Sequence, residues 1–135
     1  AIDMKPDLLT ILIGVNDVSR GGTLKQWEAD YRFILDASRK AKADLPVVLL
    51  DPFVLRSGRL KNEAAWKEWR GKVDQYCGIV AQLAEDYDAT HVKTQEVFDA
   101  AAKAVSPEHW IWDGVHPLPQ GHELIARNWL QQVSS

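Results

Sequence analysis

Cysteine is almost absent from this 135-residue sequence: Cys77 stands alone. No internal disulfide can form, and no Cys cluster is available to hold zinc. Long hydrophobic runs are missing as well, none approaching the ~20 residues that a membrane-spanning helix requires. Charge of one sign is not in excess, since 16 Lys and Arg are interleaved with 19 Asp and Glu for a net charge of −3. That leaves no basic patch of the kind nucleic-acid binding demands. Neither an internal repeat nor a low-complexity tract nor a linker interrupts the chain. With 46% hydrophobic and 26% charged residues, the composition is too apolar for disorder, and the length suits one domain, residues 1–135. Six Trp are present, an unusual number for so short a chain.

Ala1-Ile2-Asp3-Met4-Lys5-Pro6 opens the sequence with neither an initiator Met nor a leader, and a strand follows at once. This is expected of a piece of a longer protein, and it leaves the cellular compartment open. Asp7 to Val15 is a nearly continuous apolar run, which predicts a strand covered on both faces, as in a parallel sheet. Ser19 to Gly22 reads as a loop, and Thr23 with Gln26 as a capping box opening a helix to about Ala43. Val47–Leu50 predicts a second strand, Glu63 to Asp86 a long amphipathic helix, and Thr90–Lys93 a short third strand. Gln95 to Ala104 reads as a helix, Val105 to Pro119 as a loop, and Gln120 to about Val133 as the last helix. Strands alternating with long helices imply right-handed crossovers and an α/β fold: a three-layer parallel sheet with helices on both faces. Three strands make a thin sheet. The apolar Asp7–Val15 strand is expected to want a neighbour that this sequence does not supply.

In open parallel sheets, ligands bind beyond the carboxyl ends of the strands. Three groups fall there: Gly14-Val15-Asn16-Asp17, Asp51, and Asp113-Gly114-Val115-His116-Pro117. Asp113 and His116 are three apart, so on a turn they share a face. A carboxylate so placed can accept the imidazole Nδ1–H and leave Nε2 free as a general base, as a serine hydrolase needs. The plain alternative is a capping Asp beside a surface His. Asn16 offers a neutral N–H donor at the end of a strand, as an oxyanion hole requires, and Gly14 lets another group approach the backbone; the alternative there is an Asn-Asp turn. Asp17 is expected to order the Asn16 loop. Trp110 and Trp112 flank the Asp-x-x-His loop at a spacing of two, which points one inward and leaves Trp112 to line the substrate pocket as a sugar platform. Trp27, Trp66, Trp69 and Trp129 lie on helices and are expected to pack. A metal reading of Asp51, Asp113 and His116 lacks a further His or Cys at a supporting spacing. His91 and His109 have no partner visible in sequence, and Cys77 is expected in the core.

Taken together, LLTILIGVNDV and WDGVHPLPQGHELIARNWL resemble the third and fifth blocks of the SGNH (GDSL-type) hydrolases, and the resemblance spans Pro6 to Val133. It implies a flavodoxin-like sheet and hydrolysis of acyl esters, often acetyl groups on sugars, without a cofactor. It implies His116 as base, Asp113 as acid and Asn16 as oxyanion donor, with Gly14, Asp17 and Trp112 near the substrate. Two blocks are absent: the Gly-Asp-Ser that carries the family's nucleophile, and the second block, whose Gly supplies a further oxyanion N–H. The serines here are Ser19, Ser38, Ser57, Ser106, Ser134 and Ser135; none follows Gly-Asp. The expectation is therefore the C-terminal portion of a serine esterase acting on a small ester. The Ser would come from an N-terminal segment or a second chain, and a homo-oligomer through the Asp7–Val15 edge is a further possibility. A non-catalytic fragment or a carbohydrate-binding module on the same fold is the rival from another class.

Overall fold

The computed structural model describes residues 1–135. Its chain runs β1 (Leu9–Leu12), α1 (Val15–Arg20), α2 (Leu24–Ala41), β2 (Val47–Leu50), α3 (Glu63–Asp86), β3 (Thr90–Val92), α4 (Thr94–Ala104), α5 (Pro107–Trp110) and α6 (Pro119–Val133). The strands form one parallel sheet in the order β1-β2-β3, with Leu9 opposite Val47 and Val48 opposite Thr90. Parallel neighbours joined by long helices need crossovers, and these place helices on both faces. On one face Ile11, Val47 and Leu49 pack with Trp27, Tyr31 and Leu35 of α2 and Val73, Tyr76 and Val80 of α3. On the other, Val48, Leu50 and Val92 meet Ile125, Trp129 and Val133 of α6. The three-layer parallel architecture is thus the one the alternation of elements predicts.

Why these residues form these elements is visible at their ends. Thr23 caps α2 by accepting the Gln26 N–H at 3.1 Å, and Asn62 caps α3 by accepting that of Ala65 at 3.1 Å. Every side chain of β2 is buried. At ~1.5–3 kcal/mol for each fully buried Val or Leu, the middle strand anchors the sheet. β1 is different. It is four residues rather than nine, it pairs only with β2, and Leu8, Leu12 and Ile13 are exposed. The expected strand covered on both faces is therefore corrected to a short edge strand, because no second neighbour completes its pairing or its cover.

Two loops expected from the sequence are also partly helical. Val15–Arg20 forms α1, and Gly21 ends it in the left-handed region. The Gly pair reads as a turn, but burial of Val18 in the core pulls the preceding residues into a helix. Likewise Pro107–Trp110 forms α5, with Pro in its first turn, where a missing N–H costs nothing. No helix is long and apolar enough to cross a membrane.

Candidate active site

The loop between α5 and α6 is clamped before it carries any chemistry. Ile111 and Pro117 form an antiparallel bridge, and Leu118 N–H donates to the Trp110 carbonyl at 2.9 Å. Across the gap, Leu55 N–H donates to the Gly114 carbonyl at 3.0 Å, and the buried Ser57 hydroxyl donates to the Ile111 carbonyl. Two glycines allow this approach. A Cβ on Gly58 would lie 2.4 Å from Asp113 Cα, and one on Gly114 would lie 2.7 Å from Leu60 Cγ. Both also have positive φ, at 50° and 98°, which side chains rarely adopt.

On this rigid turn Asp113 Oδ1 accepts the backbone N–H of Val115 at 3.0 Å and of His116 at 2.8 Å, while Oδ2 lies 2.5 Å from His116 Nδ1. The Asp113 side chain is only 15% exposed, and that of His116 is 71% exposed. Burial pushes the Asp113 carboxyl up. The His116 ring hydrogen bond and the two backbone N–H groups outweigh it and hold the carboxyl down at about 2. The ionised carboxylate can only accept, so it selects the tautomer with the proton on Nδ1 and leaves the Nε2 lone pair facing solvent.

Asn16 lies in the first turn of α1, exposed, with its side-chain amide bonded to nothing in the chain. Gly14 precedes it with φ of 129° and packs on Pro52 and Trp27, where a Cβ would meet Pro52 Cγ at 3.1 Å. Gly14 is therefore needed for the approach of Pro52, which follows β2. Val15 and Val115 line the same apolar hollow of about 60 Å³ with Leu12, Ile13, Pro52 and Phe53. Asn16 and His116 are the residues that follow Val15 and Val115 in the chain. Asp17 turns elsewhere: it lines a separate hollow with Lys72, Gln75 and Tyr76 of α3. Trp112, immediately before Asp113, is 59% exposed, whereas Trp110 is half-buried and donates its indole N–H to the Val105 carbonyl.

Sequence reasoning missed a second Asp–His pair. His91 on β3 has a partner after all, its Nε2 2.6 Å from Oδ1 of Asp51 just beyond β2. These side chains are 16% and 5% exposed. The signal lies in the strand register alone: Leu49 faces His91, and Asp51 follows two residues later on the same side. Burial drives the Asp51 carboxyl above the ordinary range, and the His91 hydrogen bond only partly offsets it. Asp51 and Asp113 therefore have different partners, and no three His, Cys, Asp or Glu gather as a metal site. Cys77 is half-buried and donates weakly to the Pro52 carbonyl; burial pushes its thiol up.

The chain as a whole is similar to known proteins. A family model described as the GDSL-like Lipase/Acylhydrolase family matches residues 1–124. The chain belongs to that family. An acetylxylan esterase of Geobacillus stearothermophilus is 32% identical over 98% of the chain and 61% of its own length. Its solved structure superposes with a TM-score of 0.83 at 30% identity, over 100% of this chain and 63% of that one. A candidate GDSL-like lipase of Parabacteroides merdae gives a TM-score of 0.90 at 32% identity, over 99% and 63%. The chain thus spans less than two thirds of these relatives. Solved catalytic mutants of the Geobacillus enzyme replace a serine, an aspartate, or a histidine three residues after that aspartate. A further variant replaces the tryptophan directly before the aspartate.

Proposed function

We propose that this chain supplies the acid–base half of a serine carboxylesterase that removes acyl groups, acetyl groups on xylo-oligosaccharides above all. The observation that carries the reading is the Asp113–His116 pair, with three hydrogen bonds fixing the carboxylate and Nε2 open to solvent. The family supports it, and so does the spacing of the replaced aspartate and histidine in the Geobacillus acetylxylan esterase, which equals that of Asp113 and His116. Trp112 directly precedes Asp113, just as the replaced tryptophan of that enzyme directly precedes its aspartate, and this supports the same reading.

In the reaction, a serine hydroxyl attacks the ester carbonyl while His116 Nε2 takes its proton. Asp113 holds the ring in that tautomer and stabilises the imidazolium. The Asn16 side-chain amide donates to the tetrahedral oxyanion. Collapse expels the sugar alkoxide, which receives the proton from His116 and leaves an acyl-serine. Water, deprotonated in turn by His116, then releases the acid and regenerates the serine.

The serine itself comes from outside this sequence. Ser57 is buried and spends its hydroxyl on the Ile111 carbonyl, and Ser19 donates to the Asn16 carbonyl at 2.8 Å. The free edge of β1 and its exposed Leu12 and Ile13 suit a further parallel strand, from an N-terminal segment or a second chain, whose carboxyl end would bring a serine beside Asn16 and His116. Fixed geometry is what the reaction requires of that seat. Intact masses of the purified particle, read with its hydrolysis of acetylated xylo-oligosaccharide, test this. Activity from a particle holding a serine-bearing segment, lost in His116→Ala, supports the reading. Full activity of His116→Ala in that particle overturns it.

A further inference from the structure

The segment Phe53–Leu60 forms the floor under the Asp113–His116 turn, yet it belongs to no strand. In an extended chain the N–H and C=O of successive residues point to opposite sides. Leu55 points its N–H at the Gly114 carbonyl. Val54 must then find partners on the other side, where no strand runs. It finds one side chain: Val54 N–H donates to Gln95 Oε1 at 2.9 Å, and Gln95 Nε2 donates to the Val54 carbonyl at 3.0 Å. The Gln95 amide thereby replaces a strand, pairing one residue in both directions. It is buried, so neither bond has water as a substitute.

The orientation of that amide is itself fixed. Its second N–H donates to Asp99 Oδ1 at 3.0 Å, and Arg70 grips the Asp99 carboxylate through two nitrogens at 2.7 Å each. Such a bidentate, charge-assisted pair is geometrically specific. With Asp99 as acceptor, only one amide orientation fits, the one that Val54 needs.

We infer that Gln95 is a positioning residue for His116: it acts through the Val54–Leu55 backbone on the turn that holds Asp113. This rests on the reading of His116 as the base, but the readout does not. The Nδ1–H between His116 and Asp113 is short and charge-assisted, so its proton resonance is expected far downfield. The resonance is assigned in the complete protein by its loss in His116→Ala. In Gln95→Met, which keeps the length but neither hydrogen bond, that resonance is expected to vanish or exchange at least about tenfold faster, as local opening becomes easier. The indole N–H of Trp129, bonded to Thr10 on the far strand, should not move, and kcat should fall while KM stays. A folded Gln95→Met with an unchanged His116 resonance overturns the inference, whatever its activity. If that variant does not fold, Asp99→Ala, at a half-exposed site, decides in its place. Faster exchange of the His116 proton supports the inference and wild-type exchange overturns it. Retained hydrolysis in His116→Ala would instead refute the base and leave the positioning test standing.

Discussion

The molecule holds the same chemical pair twice, and the two behave in opposite ways. Asp113 and His116 are three residues apart, and their carboxylate receives two backbone N–H bonds besides the ring. Asp51 and His91 are joined across two strands, and the Asp51 side chain is bonded to the ring alone. Hydrogen bonding wins at Asp113 and holds its carboxyl at about 2, whereas desolvation wins at Asp51 and raises its carboxyl. Exposure differs in the same sense, with the His116 ring open and the His91 ring nearly closed. An Asp–His contact therefore says little by itself. The count of donors on the carboxylate and the access to the far ring nitrogen decide whether it is suited to proton transfer or to holding strands together.

Replacing the two histidines should separate the pairs most widely. His116→Ala should lower kcat for ester hydrolysis in the complete enzyme on the order of 10⁴-fold or more, while His91→Ala changes it less than about tenfold, because it touches no reacting atom. Equal losses in steady-state assays would erase the distinction. The carboxylates come next. Asp113→Asn should keep the fold and cost on the order of 10³–10⁴ in kcat through the wrong tautomer. Asp51→Asn should leave kcat nearly intact and lower unfolding free energy by about 1–3 kcal/mol in urea, as a buried bond is weakened.

Acid sharpens the contrast further. A carboxyl held below its unfolded value stabilises the native state above that value and ceases to do so as pH falls through the folded one. Asp113 should thus withdraw its support between about pH 4 and pH 2. Asp51, raised by burial, binds its proton more tightly when folded, so it favours the native state at low pH and opposes it as pH climbs past the ordinary carboxylate value. Carboxyl carbon NMR titration should show Asp51 protonating first on acidification; the reverse order would contradict the burial argument. The smallest effect is expected at Trp112, half-open beside Asp113. Trp112→Ala should raise KM for an acetylated xylo-oligosaccharide by roughly three- to tenfold, the scale of one lost aromatic contact, and leave a small aryl acetate nearly unaffected.

Much of the fold was readable because it is local. The Thr23 cap, the span of α3 from Glu63 to Asp86, and the turn from Asp113 to His116 each depend on residues within four positions, and all three stand as expected. Errors fell where distant packing overrides local preference. Burial of Val18 makes a helix out of Val15–Arg20, and the lone pairing with β2 shortens β1 and exposes it. Asp17, grouped with Asn16 by sequence, is carried by the rotation of α1 toward Lys72 and Tyr76.

By itself the sequence determined the family, the parallel three-layer order and the Asp-x-x-His turn, because a carboxylate three residues from an imidazole needs only a tight turn to meet it. Tertiary structure alone decided that Val15 and Val115 line one hollow, that Asp51 meets His91, and that Gln95 stands in for a missing strand beneath the turn. Those contacts join residues 40 or more positions apart. Their partners are chosen by sheet register and helix packing, which no short stretch of the chain encodes.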